Sequence, residues 1–159
     1  MGIYASLAFA VLVFVSTHTR ARFPELERLG GNLNNYPIGD YLVRIKNASL
    51  AGRREVVVEN SKFVAAVAKT LIKLKVLESV KVESGFVTSH LAYHRKAPVL
   101  IDLKLVSKPG LRHYIDMSKL TGRRRRNASK LILSTPKGVL SSDEAVAKNV
   151  GGEVIAEVW

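Results

Sequence analysis

The chain has 159 residues, enough for one globular domain or for two very small ones packed together. Lys and Arg number 25 against 13 Asp and Glu, and the resulting +12 favours a polyanionic partner, either nucleic acid or an anionic membrane surface. Zero cysteines exclude disulfides, thiolate metal sites and thiol nucleophiles, and 47% hydrophobic residues exclude a disordered basic tail.

Met1 to Val15 is almost wholly apolar. The run is shorter than the ~20 residues a bilayer-spanning helix needs, and it has the length of a secretory h-region. No Lys or Arg precedes it, however, and Ser16 to Arg22 offers no small-x-small cleavage site. Three readings stand: a signal or membrane anchor, a helix packing on a neighbour, or a segment upstream of the true start. Phe23 to Asn35 dissolves into Gly/Asn-rich turn chemistry, which places a boundary near Asn35.

Beyond it, Ile38, Leu42 and Ile45 recur at helical spacing, so Pro37 to Ala48 is predicted as an amphipathic helix with proline in its first turn. Ala51 to Arg54 is a basic turn, and Glu55 to Glu59 a strand. Asn60 or Ser61 caps a second helix whose apolar face is Val64, Val67, Ala68, Leu71 and Ile72. Strands are predicted at Val80 to Val82, Phe86 to Tyr93 and Val99 to Val106. Ser107-Lys-Pro-Gly110 is a turn linking the two halves. Leu111 to Ile115 then reads as a strand, the run Arg123 to Arg126 follows, and Lys130 to Ser134 is a strand. Pro136 to Gly138 is a turn, Val139-Leu140 a short strand, and Ser141 or Ser142 caps a helix through Ala147. A final strand covers Glu153 to Val158, and no repeat or low-complexity tract interrupts the pattern.

Few of these residues suggest catalysis. His18, His90, His94 and His113 lack metal-ligand spacing, and no metal or cofactor is expected. Ser134 and Lys137 would make a Ser–Lys dyad only with an oxyanion hole that nothing nearby supplies, so the chain is not expected to be an enzyme. The Pro136 to Gly138 turn has a better use: Ser134, Thr135, Lys137 and Gly138 put hydroxyls, a cation and uncluttered backbone at one tip, able to meet bases, sugars and phosphates. Arg123, Arg124, Arg125 and Arg126 could neutralise phosphates, and Arg44, Lys46, Arg53 and Arg54 form a second basic group. Two separated basic groups suggest a folded RNA gripped at more than one point, while aromatics are too sparse for an RRM-type stacking platform.

Four stretches then resemble, in order and spacing, the bacterial-type ribosomal protein S-eight family. They are Pro37 to Ala48, Asn60 to Lys62, Val106 to Tyr114, and Leu133 to Leu140 continued by Val150 to Ile155. The resemblance covers residues 36–159. It implies an α+β fold of two small tandem α/β domains. Residues 36–106 would form an N-terminal α-β-α-β-β-β domain, and residues 107–159 an RNA-binding domain, mostly β with one short helix. Residues 1–35 would be an extension.

The resemblance also implies a structural constituent of the small ribosomal subunit, binding the central domain of its ribosomal RNA and helping to assemble the subunit platform. It would be ribosome-bound, in the cytoplasm or an organelle, beside the fifth and twelfth small-subunit proteins, with no small-molecule substrate and no membrane partner. Carried over, the family's contacts nominate Ser134, Thr135, Lys137 and Gly138, with Tyr114 and Glu153 nearby, and Arg44 and Asn47 on the first helix. The chain's own messenger RNA is a further expected ligand. A membrane-anchored basic protein and a free RNA-binding repressor are the alternatives. Two departures stand out: Pro136 replaces the family's usual serine, and Arg-Arg-Asn-Ala-Ser-Lys replaces a usual Gly-Leu-Gly before the loop strand.

Overall fold

A computed structural model describes residues 36–124 and 129–159. The hydrophobic run, the rest of residues 1–35 with His18, and Arg125 and Arg126 lie outside the described residues. Among the described residues no helix is long and apolar enough to cross a membrane.

Helix α1, Pro37–Leu50, starts at the proline and turns Tyr41, Leu42, Ile45 and Ala48 onto one buried face. Strand β1, Glu55–Glu59, alternates strictly, with Val56 and Val58 inward. Helix α2, Lys62–Lys73, begins where the Ser61 hydroxyl accepts the Val64 N–H at 3.1 Å, and it buries Val64, Val67, Ala68 and Leu71. β2, Leu77–Glu83, and β3, Phe86–Leu91, form a hairpin through Ser84 and Gly85, and the three strands make an antiparallel sheet in the order β1-β3-β2.

The prediction of one strand from Phe86 to Tyr93 and another from Val99 to Val106 is corrected here. The first ends at Leu91, and a small hairpin of β4, Tyr93–His94, and β5, Ala97–Pro98, follows it. From the second only β6, Leu103–Leu105, is strand. Leu100 is buried, but Ile101 and Asp102 turn outward, and Asp102 caps the Leu103 N–H at 2.7 Å.

β6 belongs to the second sheet, pairing with the last strand, β10, Gly152–Val158. β7 is only Tyr114–Ile115, not the predicted Leu111 to Ile115, because Lys108 and Leu111 pair with each other across the Pro-Gly turn. A helix absent from the sequence reading, α3 at Met117–Arg124, follows. Gly122 and a single buried apolar residue, Leu120, leave it no readable periodicity. Then come β8, Lys130–Thr135, β9, Gly138–Ser141, and α4, Ser142–Ala147. The order is β6-β10-β8-β9, with β7 beside the start of β10.

This sheet is buried on both faces, which explains its near-continuous apolar runs. Ile132, Ala156 and Val158 join Leu42, Ile45, Val67 and Leu71 in the main core, so both sheets and both long helices share it. Leu131, Leu133 and Val154 pack instead with Leu120 of α3 and Ala145 of α4 in a smaller cluster. A bulge between Val154 and Ala156 leaves Ile155 without a β8 partner; its carbonyl accepts the Val106 N–H instead, at 3.0 Å.

Candidate nucleic-acid interface

Thr135 and Gly138 pair across β8 and β9, so Pro136 and Lys137 form a two-residue hairpin tip. The Thr135 hydroxyl closes it twice, donating to the Gly138 carbonyl at 2.8 Å and accepting the Lys137 N–H at 3.2 Å. Gly138 sits at φ +103, where a side chain would be strained. Pro136 leaves that brace intact, since both partners of the hydroxyl, Lys137 and Gly138, lie beyond it. The Lys137 ammonium donates to the Lys148 carbonyl at 3.2 Å, so Ser134 and Lys137 are not joined as a dyad.

Pairing brings three other predicted residues into one row. Tyr114 on β7 faces Glu153 on β10, which faces Ser134 on β8. Tyr114 is 74% exposed, an aromatic ring offered to solvent beside the loop. Glu153 is braced: Arg112 donates to it at 2.8 Å while its guanidinium lies 5.8 Å from the centre of the Tyr36 ring. The Tyr36 hydroxyl in turn donates to the Ser107 carbonyl at 3.0 Å, and burial pushes its pKa up. Gly152 is required next to this row, because a Cβ there would lie 2.3 Å from the Ser134 carbonyl oxygen.

The loop is also supported from the other half of the chain. The Thr70 hydroxyl on α2 shares its hydrogen between the Ala66 carbonyl at 3.1 Å and the Val139 carbonyl at 3.3 Å. The Ser141 hydroxyl and the Glu144 carboxylate form a reciprocal cap on α4 immediately after β9.

The remaining predicted residues are not part of this cluster. Arg44 and Asn47 are exposed on α1, and Arg44 pairs with Asp40 one turn earlier at 2.8 Å. Arg123 bonds the Glu157 carboxylate of β10, which also accepts the Ser129 hydroxyl. The side chains of Arg124, Arg125 and Arg126 lie outside the described residues. His90 falls on β3 and His94 on β4. Sequence reasoning missed Arg112, Tyr36, Thr70 and Gly152. Only the Gly151-Gly152 pair ahead of a strand signalled a close backbone approach.

The arrangement gathers hydroxyls, cations and an exposed aromatic ring at one edge of a small α+β scaffold. Residues 36–159 match the family model of ribosomal protein S8. Small ribosomal subunit protein uS8 of Nitratidesulfovibrio vulgaris is 39% identical over 123 residues, covering 77% of this chain and 97% of that protein. The uS8 proteins of Vesicomyosocius okutanii and Roseiflexus castenholzii are each 38% identical; they cover 77% and 79% of this chain and are themselves covered to 96% and 98%. The chain belongs to the ribosomal protein S8 family, whose members are structural constituents of the ribosome and not enzymes.

Proposed function

We propose that this protein binds the central domain of small-subunit ribosomal RNA directly and helps to assemble the subunit platform, with the fifth and twelfth small-subunit proteins as neighbours. The row Tyr114–Glu153–Ser134, opening onto the braced Thr135–Gly138 tip, carries the reading. Ser134, Thr135, Lys137 and Gly138 meet an irregular RNA helix at close range. Tyr114 supplies a ring for stacking, and Glu153 holds the strand register behind them. Arg44 and Asn47 touch a second RNA element, and the arginine run from Arg123 meets phosphates, with Arg123 itself anchored to β10. A site on the chain's own message shaped like the ribosomal one would compete for the same surface.

The chain divides at Val106 and Ser107 in this reading, with β6 supplied by the first half to the sheet of the second. Titration of the purified protein against central-domain RNA tests it. Specific binding far above that to an unrelated duplex at equal salt is expected, and equal binding to both overturns the proposal.

A further inference from the structure

The outer face of the three-stranded sheet carries a surface of opposite charge. Alternation along β1 leaves Glu55, Val57 and Glu59 outward while Val56 and Val58 join the core with α1 and α2. Pairing sets the outward residues against His90, Thr88 and Phe86 of β3, and these against Ser79, Lys81 and Glu83 of β2. Phe86 therefore stands between two carboxylates, Glu59 on one side and Glu83 on the other. Its side chain is 48% exposed, and Val57 beside it 47%.

Charge selects the occupant. Among the described residues, Asp40, Asp102, Asp143, Glu144, Glu153 and Glu157 each pair with a lysine or arginine. Among the same residues Glu55, Glu59 and Glu83 make no such pair, nor do Glu78 and Asp116, which lie away from Phe86. In a chain with 25 cations to 13 anions, two unpaired carboxylates flanking an exposed ring, with a third at the far end of β1, give this face a local surplus of negative charge over Lys81. Such a face repels phosphate and attracts a cation, even with Lys81 at its centre. A guanidinium fits it best, since the planar group can stack on Phe86 while its edges donate to the flanking carboxylates.

The geometry points to this face as a docking surface for an arginine-rich polypeptide segment of another protein, separate from the Thr135–Gly138 tip and bordered by the Arg44–Asp40 pair, which shares a cleft with Val57, Glu59 and Phe86. The probe is a fluorescein-labelled octapeptide alternating arginine and leucine, titrated against the whole protein, with amide shifts followed by NMR. Shifts are expected at Val57, Glu59, Glu83, Phe86 and Thr88. Affinity should fall about tenfold in Glu59→Gln/Glu83→Gln, fall similarly in Phe86→Ser, and rise in Lys81→Glu, with RNA affinity unchanged in the glutamine variant. A lysine-for-arginine peptide should bind more weakly. The proposal is overturned if the charge variants bind the peptide as the parent does, or if the shifts map elsewhere. It is equally overturned if RNA shifts Glu83 and Thr88, away from Arg44, as the peptide does, or if the parent self-associates through this face in a way the glutamine variant abolishes.

Discussion

Lys73 Nζ and Glu144 Oε1 lie 2.6 Å apart, joining α2 to the first turn of α4. The other oxygen of the same carboxylate accepts the Ser141 N–H at 3.2 Å, so the lysine holds the side chain that caps the helix following the β8–β9 hairpin. A residue seventy-one positions upstream thereby steadies the exit of the hairpin.

Lys73→Met is expected to cost less than about 1 kcal/mol of stability, because the pair is largely solvated. The hydrogen bond from Lys73, more than the Ser141 N–H, holds the Glu144 pKa below 4.5. A depressed folded pKa stabilises above the unfolded value and loses that contribution as pH falls through the folded one. The gap between parent and variant in urea midpoint should therefore be full at pH 7 and close as pH drops below 4.5. A gap that persisted into strong acid would assign the effect to lost packing by the lysine stem.

Thr135→Ala and a variant with all four residues from Arg123 to Arg126 changed to Gln should separate shape from charge in RNA binding. Removing the Thr135 hydroxyl unbraces the tip and should cost about 1–3 kcal/mol of specific affinity with the salt slope unchanged. The arginine variant should flatten the slope and weaken all RNAs alike. Salt titrations of both against specific and unrelated RNA are the measurement. Arg123 complicates the second variant, since its bond to Glu157 also steadies β10; Arg124 to Arg126 replaced alone should give the same slope change with less loss of stability.

Gly152→Ala should destabilise the fold by about 1–3 kcal/mol, because its Cβ meets backbone that cannot swing away. The Ser134 carbonyl would be 2.3 Å from it and the Thr135 methyl 2.9 Å. RNA affinity should fall further than the unfolded fraction accounts for, as the row beside the loop is pushed apart. Chemical unfolding and RNA binding measured on the same preparation test both halves.

Tyr41 donates to or accepts from Ser89 at 2.8 Å inside the core, and burial pushes its pKa up to about 12. A raised folded pKa contributes stability below the unfolded value of 10.0 that is lost as pH rises toward about 12. The parent should weaken across that alkaline window, and Tyr41→Phe should not show this component. At neutral pH the same variant should cost about 1–3 kcal/mol, since Ser89 is left buried without its partner. Tyr41→Phe/Ser89→Ala should recover part of that loss.

Where local chemistry governs, the sequence is readable. Pro37 opens α1, Ser61 caps α2, and the Val56/Val58 alternation makes β1, each from contacts within a few residues. Tertiary override hides the rest. Leu100 to Val106 has strand composition, yet only Leu103 to Leu105 forms a ladder, with β10 some fifty residues on, while Ile101, Asp102 and Val106 make single backbone hydrogen bonds to the same end of the chain. α3 exists because Leu120 fills a pocket made by β8, β9 and α4, and nothing in Met117 to Arg124 announces it. The loop residues of the candidate site were legible as a cluster, Ser134 to Gly138. The pairing that adds Tyr114 and Glu153 follows from register, and the supports from Thr70 and Arg112 from packing across the whole chain.

β10 is the last element in chain order, and it is also the strand against which β6, β7 and β8 are all laid. A nascent chain that has not yet released it holds three strands with nothing between them. The row that contains Tyr114 and Ser134 cannot close, because the residue joining them is Glu153. A polypeptide halted short of this strand would carry every lysine and arginine of the chain and the Thr135–Gly138 tip, but not the row beside it, so unfinished copies would keep the charge and lose part of the shape.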